Sequence, residues 1–263
     1  MKNENTIVEP KRRFNKALKV LLFGGLKVAA LLLAAHLLWK YSGSNEWKLL
    51  VDRTGVKIYE LKAPGSTLKQ FKVVTHVRTT LNHSIAPMVL TDLATCAEWV
   101  PGCDSMEVIE HWNPQEMNSW WMWGVDAPFP FSRREFLLRT HVTPEPQNNA
   151  VRVDNVAFPD KLPRNPCCFR VTDMHNTWRY TSLGNGEVEV ELVQHMDPGI
   201  PYFLFNRMAV GGLYEMFSKM PVLLNEEKYQ NVRFEFIDAM AARKTDVVHA
   251  LRPIALPASN ASE

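Results

Sequence analysis

The sequence has little net charge for its length. Its 30 Lys and Arg residues and 28 Asp and Glu residues leave a formal net charge of +2 among 263 residues. Outside the N-terminus the basic residues form no stripe or cluster. Proteins that bind nucleic acid neutralise phosphates with clustered Lys and Arg. We therefore predict no nucleic-acid partner.

Cysteine is scarce as well. The four cysteines stand at positions 96, 103, 167 and 168, and none belongs to a Cys-x-x-Cys pair that would indicate a structural zinc site. We therefore predict no bound metal. Cys96 and Cys103 are close enough in sequence to form a short disulfide loop if the domain lies in an oxidising compartment. Otherwise the cysteines are expected to be buried free thiols.

The sequence also lacks the motifs of common hydrolases. It has no Gly-x-Ser-x-Gly, no His-Glu-x-x-His and no paired carboxylates at a catalytic spacing. Its eight histidines form no motif, and strand alternation places the two on predicted strands, His141 and His195, on the solvent face. We therefore predict that the protein is not an enzyme, and we assign no catalytic residue.

A long apolar stretch is present near the N-terminus. Residues 1–17 form a basic N-terminal tail that includes Lys11-Arg12-Arg13, and residues 18–40 are almost entirely apolar. At 1.5 Å per residue, a helix of this length just crosses the ~30 Å hydrocarbon core of a bilayer. Lys27 and His36 interrupt the apolar run and make its insertion less favourable.

The positive charges before this stretch set its expected orientation. They place the N-terminus in the cytoplasm and the remainder of the chain across the membrane. We predict a single-pass signal anchor with the domain on the periplasmic or outer side. Two alternatives remain open. One is a secretory peptide cleaved near Ser42-Gly43-Ser44, after which the domain is exported. The other is a cytoplasmic helix that lies on a membrane surface.

Residues 46–240 have the pattern of one domain, followed at 243–263 by a flexible tail. Alternating apolar residues between turn signals such as Pro64-Gly65 and Gly184-Asn185-Gly186 predict a long antiparallel meander. Two short helices, 84–93 and 95–100, precede most of its strands, and one long helix follows it. This order predicts an α+β fold. The predicted strands are 55–60, 71–77, 105–111, 117–125, 135–143, 150–157, 169–174, 177–183 and 187–197.

The long helix begins after Pro201 and extends at least to Lys219. At ~100° per residue its apolar residues occupy close to half of its circumference. A face of that width predicts packing across a curved sheet, with a lipid in the gap between them. The predicted apolar face consists of Phe203, Phe205, Ala209, Val210, Leu213, Tyr214, Met216, Phe217 and Met220.

Four landmarks follow one another in an order that resembles a known family. They are Asp52-Arg53-x-Gly55-Val56-x-Ile58-Tyr59, Cys96-Ala97-Glu98-Trp99, Pro128-Phe-Pro-Phe-Ser-Arg-Arg-Glu135-Phe136 and Asp197-Pro-Gly-Ile-Pro201. Together they resemble the START (steroidogenic-acute-regulatory-related lipid-transfer) domains, in particular bacterial members with an N-terminal hydrophobic segment. The resemblance covers about residues 46–235.

The resemblance implies a helix-grip fold, in which a curved antiparallel sheet wraps around the C-terminal helix and encloses an apolar tunnel. It implies one bound lipid, no cofactor and usually no catalysis. The expected function is therefore to carry a lipid between membranes, with the lipid and a membrane as partners and no identified protein partner. Two alternatives use the same fold: a polyketide-type aromatase or cyclase, and a lipid-responsive sensor or adaptor.

Strand alternation and the helical period assign the side chains expected to face the tunnel. In 187–197 the valines, Leu192, Gln194 and Met196 point inward, and the glutamates face water. The predicted lipid-binding residues are Trp121, Trp123, Phe136, Leu138, Thr140, Val190, Leu192, Gln194, Met196, Phe205, Ala209, Leu213, Met216, Phe217 and Met220.

The sequence departs from part of the family at two of these positions. Some START domains place an arginine inside the tunnel, paired with a carboxylate on the preceding strand. Counted from Glu135, the arginine position holds Thr140 and the carboxylate position holds Trp121. The absence of both charges is consistent with a weakly polar ligand, such as a sterol or a neutral acyl lipid. It argues against recognition of a zwitterionic head group.

Overall fold

The structure is a computed structural model that describes the backbone of residues 10–250 and the side chains of residues 18–242. The described chain forms two compact units. The first contains residues up to Glu46 together with Lys62–Thr67, and the second contains Trp47–Leu61 and the chain from Leu68 onward. Residues 1–9 of the expected basic tail and residues 251–263 of the expected flexible tail lie outside the described residues.

The first unit is built on helix α1, Pro10–Tyr41. Its segment Leu18–Tyr41 is 24 residues long with a mean hydropathy of 2.1, which is long and apolar enough to cross a membrane. The end of the helix is held within this unit by the segment Lys62–Thr67. The Trp39 indole donates a 2.8 Å hydrogen bond to the Thr67 carbonyl, and Lys62 Nζ donates to the Ser42 carbonyl at 3.0 Å.

The second unit is a curved sheet covered by helices. The strands of the described chain are β1 Lys48–Arg53, β2 Val56–Leu61, β3 Gln70–Arg78, β4 Cys103–Asn113, β5 Asn118–Val125, β6 Arg134–Glu145, β7 Ala150–Ala157, β8 Phe169–Arg170, β9 Asp173–Ser182 and β10 Glu187–Asp197. Nine of them pair in the order β1-β2-β3-β10-β9-β7-β6-β5-β4, and β8 pairs with β6. All pairs are antiparallel except β6 with β8. The predicted α+β helix-grip architecture is confirmed.

The remaining helices are α2 Leu81–Val89, α3 Leu93–Trp99, α4 Tyr202–Leu223, α5 Glu227–Gln230 and α6 Glu235–Ala250. Helix α2 begins three residues before the predicted start because Thr80, rather than Ser84, is its N-cap and accepts a hydrogen bond from the His83 amide. Helix α4 continues past Pro221 to Leu223, although a proline in a helix interior removes a backbone hydrogen bond. Helix α6 includes the first residues of the expected tail.

Two further differences concern the sheet. The first strand, β1, was not predicted, and the predicted strand 169–174 is divided. Its first two residues form β8, which pairs in parallel with β6, and β9 begins at Asp173. The predicted bounds of β7 and β10 are confirmed, as is the hairpin around Gly184-Asn185-Gly186.

The core lies between the concave face of the sheet and α4. On β10, Val188, Val190 and Leu192 are at most 1% exposed, which confirms the predicted alternation. Phe217 of α4 stacks on Trp178 of β9, with ring centroids 5.5 Å apart and planes 7° from parallel. Phe203 was wrongly placed on the apolar face and is 62% exposed. Residues two apart on a helix lie ~200° apart, so Phe203 and Phe205 cannot share a face.

Polar contacts fix both the start and the middle of α4. Arg134 donates from Nε to the Pro198 carbonyl at 2.8 Å and from Nη2 to the Gly199 carbonyl at 2.9 Å, which holds the corner that precedes the helix. Further along, the Tyr214 hydroxyl lies 2.8 Å from Thr54 Oγ1. The Arg53 guanidinium lies 4.1 Å from the centre of the same tyrosine ring. Helix α4 is therefore attached to β6 at its start and to the turn between β1 and β2 in its middle.

A buried ion pair holds the proline-rich segment between β7 and β8. Arg170 Nε lies 2.6 Å from Glu135 Oε2, and their side chains are 2% and 10% exposed. Arg170 also donates from Nη1 to the Pro159 carbonyl at 2.9 Å and from Nη2 to the Pro163 carbonyl at 3.1 Å. The charge of Arg170 is therefore fully paired while it bonds an otherwise irregular loop to β6.

Replacing Arg170 with Met should destabilise the protein strongly, because it leaves the Glu135 carboxylate buried without a counter-charge. Breaking one side of a buried ion pair costs about 3–5 kcal/mol. We expect the free energy of unfolding, measured by urea titration of the full chain in detergent, to fall by about that amount.

The matched control is Lys219→Met, which breaks the exposed 2.8 Å pair with Glu215. An exposed pair of this kind contributes less than about 1 kcal/mol. Equal losses for the two variants would show that the Glu135–Arg170 pair has no special structural role.

Candidate functional site: an apolar cavity under helix α4

A cavity of about 230 Å³ lies between the concave face of the sheet and helices α2, α3 and α4. Its existence follows from the small residues of α4. Ala209 and Gly212 face the cavity together with Leu213 and Met216. Ala209 carries only a methyl group and Gly212 has no side chain, so these two residues do not reach the sheet. The helix therefore covers the space without filling it.

Nine of the fifteen residues that were predicted to bind lipid line the cavity: Trp121, Trp123, Phe136, Gln194, Met196, Phe205, Ala209, Leu213 and Met216. The other six are buried in the core and do not line it: Leu138, Thr140, Val190, Leu192, Phe217 and Met220. Most of these six lie on the predicted face of their elements, at points where strand and helix are in direct contact.

Other lining residues were missed by the sequence analysis. Met88, Trp99 and Val100 form a wall from α2 and α3. Their role depends on long-range packing, which no local pattern indicates. Asn176 and Trp178 lie on β9, and Asn155 lies on β7. On β7 the alternation of Val151, Val153 and Asn155 with charged residues could have placed Asn155 on the inner face of the sheet. It was lost on β9 because Asn176 falls between two predicted strands.

Helix α3 is fixed in this wall by its N-cap and by a disulfide. Its N-cap, Asp92, accepts a 2.7 Å hydrogen bond from the Thr95 amide. Burial pulls the pKa of Asp92 upward, but the bonds from Thr95 and the charge of Lys228 bring that pKa below its usual value. From the middle of the helix a disulfide joins Cys96 to Cys103 of β4, with Cα atoms 5.8 Å apart.

All four cysteines are bonded, so the expectation of free thiols is not met. Besides Cys96–Cys103, which was one of the two open alternatives, the adjacent Cys167 and Cys168 are joined to each other. The pairing of neighbours was not anticipated. Cys96 lines the cavity beside Trp99 and Val100, and its disulfide links this part of the wall to β4.

The positions at which the family can carry an internal ion pair are joined by a hydrogen bond instead. The Trp121 indole donates to Thr140 Oγ1, and this hydroxyl donates to Asn155 Oδ1 at 2.8 Å. The three residues are 8%, 0% and 3% exposed. Although Thr140 does not line the cavity, it orients two residues that do, Trp121 and Asn155.

The lining contains no charged side chain. Among its residues, all of which belong to the described part of the chain, there is no Asp, Glu, Lys, Arg, His or Tyr, and Cys96 is disulfide-bonded. His195 lies outside the cavity, as predicted, 3.3 Å from Asp173. No group of three or more metal-ligating side chains occurs among the described residues. The arrangement can enclose an apolar molecule and offer it a few neutral hydrogen-bonding groups.

Comparison with known proteins gives a consistent family and fold. The sequence model of the START domain matches residues 29–228. An uncharacterized protein of Pseudomonas aeruginosa is 25% identical over 170 residues, which are 64% of this chain and 81% of that protein.

Two solved structures share the fold. The STAR-related lipid transfer protein from Xanthomonas axonopodis has a TM-score of 0.60 and 22% identity, over 68% of this chain and 99% of that one. Human StAR-related lipid transfer protein 5 has a TM-score of 0.57 and 12% identity, over 76% and 95%. At identities of 22% and 12%, the likeness establishes the fold alone and does not identify the ligand.

Replacing Thr140 with Val should destabilise the domain, because the isosteric change leaves the Trp121 N–H and the Asn155 carbonyl without their partner. A buried polar group that loses its hydrogen bond costs about 1–3 kcal/mol. We expect the free energy of unfolding of Thr140→Val to fall by about 2 kcal/mol in urea titrations. The control, Thr143→Val, lies on the other face of the same strand. A similar loss there would mean that the hydrogen-bonded chain has no structural importance.

Proposed function

Because the chain belongs to the START domain family, we propose that it binds a single lipid in its internal cavity and carries that lipid between membranes. START domains bind lipids and other hydrophobic ligands. The observation that supports the proposal for this chain is the cavity itself, which α4 covers and whose lining, within the described residues, contains no charged side chain.

The chemistry of the lining favours a sterol or another weakly polar lipid. Apolar contact stabilises a bound molecule by roughly 25 cal/mol per Å² of area removed from water. A phosphate or an ionised head group would lose its hydration and find no counter-charge, which is unfavourable. The Trp121–Thr140 hydrogen bond in place of a possible ion pair is in keeping with a neutral ligand.

The small volume of the cavity also favours a sterol or a lipid with a single acyl chain. Small-molecule sites commonly measure roughly 300–1,000 Å³, and this cavity, at about 230 Å³, lies at or below the lower end. A single acyl chain or a sterol requires less expansion than a phospholipid with two acyl chains. Thioethers adapt to ligands of imprecise shape, and Met88, Met106, Met174 and Met196 are in the lining.

A carrier role without catalysis is the proposal that best fits these groups. General acid–base chemistry needs a titratable side chain within reach of the bound molecule. The described lining offers hydrogen bonds from indoles and amides but no such group. Release then requires only that α4 move away from the sheet, and its contacts with Arg53 and Thr54 near the surface are the ones to be broken.

We further propose that α1 anchors the chain in a membrane, with the domain on the periplasmic or outer side. The apolar segment Leu18–Tyr41 supports anchoring, and the Cys96–Cys103 disulfide supports an oxidising compartment. A tethered carrier of this kind would exchange lipid with membranes within reach of its anchor. Cleavage after α1 would instead release the domain as a soluble carrier.

Replacing Met216 with Glu should abolish lipid loading, because it places a carboxylate in the cavity. We expect native mass spectrometry of the full chain in amphipol to show a bound lipid in the parent protein and none in the variant. Ser218→Glu, on the exposed face of the same helix, should load normally. Normal loading of Met216→Glu would contradict the assignment of this cavity as the binding site.

Transfer itself is tested by the movement of a labelled sterol from donor to acceptor vesicles. The carrier proposal predicts that the parent protein accelerates this movement and that Met216→Glu does not. If the parent protein binds lipid without accelerating transfer, it functions as a lipid sensor or adaptor.

The orientation is tested with reporters fused after Glu263. We expect alkaline phosphatase, which folds only in an oxidising compartment, to be active, and a cytoplasmic green fluorescent protein fusion to be dark. The opposite pattern would place the domain in the cytoplasm and contradict the proposed topology.

A further inference from the structure

A row of five uncharged polar side chains crosses the concave face of the sheet. Ser119 pairs with Thr140, Thr140 with Asn155, Asn155 with Asn176, and Asn176 with Gln194. These residues lie directly opposite one another on β5, β6, β7, β9 and β10. Such neighbours have Cβ atoms about 4.5–5.5 Å apart, so the row is continuous. Its last three members line the cavity.

The polar groups of this row are paired at Thr140 and incompletely paired at Asn155 and Asn176. Thr140 bonds both Trp121 and Asn155 Oδ1. The Asn155 Nδ2 atom has only a weak contact of 3.8 Å with Met88 Sδ. Asn176 is 6% exposed, and its Oδ1 atom has no hydrogen-bond partner among the described residues. Buried amide oxygens are almost always paired, so this atom indicates a missing partner.

Indole donors in the cavity wall are incomplete in the same way. The Nε1 atoms of Trp99, Trp123 and Trp178 are buried and have no hydrogen-bond partner in the described part of the chain. All three residues line the cavity, and Trp178 lies two positions from Asn176 on the same strand. The residues that line the cavity therefore carry unpaired neutral donors together with an unpaired neutral acceptor. A hydroxyl group is the simplest partner that accepts and donates at the same atom.

We propose that Asn155, Asn176 and Gln194 form a head-group subsite that selects an uncharged lipid bearing a hydroxyl group. This inference rests on the proposed lipid-binding function and specifies its ligand class. A carboxylate or phosphate would enter a lining with no cation. An ester would accept from the donors and leave the Asn176 oxygen unpaired. A hydrocarbon would leave every group of the subsite unpaired.

The packing on either side of the row sets the direction of the bound lipid. On one side the neighbours on the same strands are Val153, Trp178 and Leu192; Val153 and Leu192 are 0% exposed and belong to the core, and Trp178 between them contributes its ring to the cavity wall. On the other side lie Met174 and Met196, which line the cavity, followed by Trp123 and Phe136, whose rings stack 4.3 Å apart. The hydroxyl end therefore lies at the amide row, and the apolar end extends toward these methionines and rings.

The test is a competition among four lipids with the same C18 chain and different ends. The full chain in amphipol receives an equimolar mixture of oleyl alcohol, methyl oleate, oleate and octadecene, and the bound lipids are extracted and quantified. A hydrogen bond inside a protein changes binding roughly three- to tenfold. We expect the alcohol to be enriched over octadecene by at least that factor, and oleate to be the least bound.

The matched variant is Asn176→Leu, which removes the amide at nearly constant volume. We expect it to load octadecene as before and to lose most of the preference for the alcohol. Gln194→Met is a second near-isosteric variant that should weaken the same preference. Thr177→Val, on β9 and outside the lining, should retain it.

The outcomes separate the subsite from the proposed function. Loading of all four lipids without preference by the parent protein, or an unchanged preference in both Asn176→Leu and Gln194→Met, overturns the subsite and leaves lipid binding intact. Loading of no lipid by the parent protein overturns the proposed function itself. A diazirine at the far end of oleyl alcohol should crosslink to the Met174, Met196 and Trp123 region, and crosslinking near Val153 would contradict the orientation.

Discussion

The packing of α4 across the concave face of the sheet is the constraint on which the rest of the structure depends. The sheet curves around one helix, and large side chains such as Phe217 and Met220 meet the strands directly. Where the helix carries Ala209 and Gly212, the same separation between helix and sheet leaves a cavity. Core and cavity are thus two parts of one interface, and the cavity lies where α4 carries the small residues Ala209 and Gly212.

Because protein interiors are close-packed, such a cavity persists only if its walls resist collapse. The structure supplies that resistance on several sides. Arg134 fixes the start of α4 through two backbone carbonyls, and the Cys96–Cys103 disulfide fixes α3 against β4. The Glu135–Arg170 pair secures the loop outside β6. Most of these contacts lie outside the lining, so the frame can be rigid while the lining stays chemically neutral.

Much of the sheet and nine of the 23 residues that line the cavity could be predicted because local periodicity carries that information. Strict alternation on β10 placed Gln194 and Met196 on the inner face, and the helical period placed Leu213 and Met216 toward the sheet. Both rules concern neighbours in sequence.

The α3 wall could not be predicted in this way. Trp99 faces the cavity because α3 packs against α4 and the Trp99 ring lies 5.3 Å from that of Trp178 on β9, and these are contacts across long sequence distances. The row on the sheet was missed for another reason. Register aligns Asn155, Asn176 and Gln194 across three strands, and no single strand contains that alignment. Residues that form a site through register become visible only when the pairing is known.

The unpaired polar groups have a consequence for how a lipid is released. Each buried donor or acceptor without a partner costs about 1–3 kcal/mol, and among the described residues Trp99, Trp123, Trp178 and Asn176 all contribute such atoms. A lipid that satisfies some of them stabilises the closed form, in proportion to how well its polar end fits. When α4 moves away from the sheet in the proposed release, water reaches these atoms and forms hydrogen bonds with them. The free energy of these hydrogen bonds offsets part of the binding free energy that is lost when the ligand leaves. In the proposed function, the groups that favour a neutral hydroxyl lipid under α4 therefore also lower the free-energy cost of moving α4 away from the sheet, the step that releases the lipid.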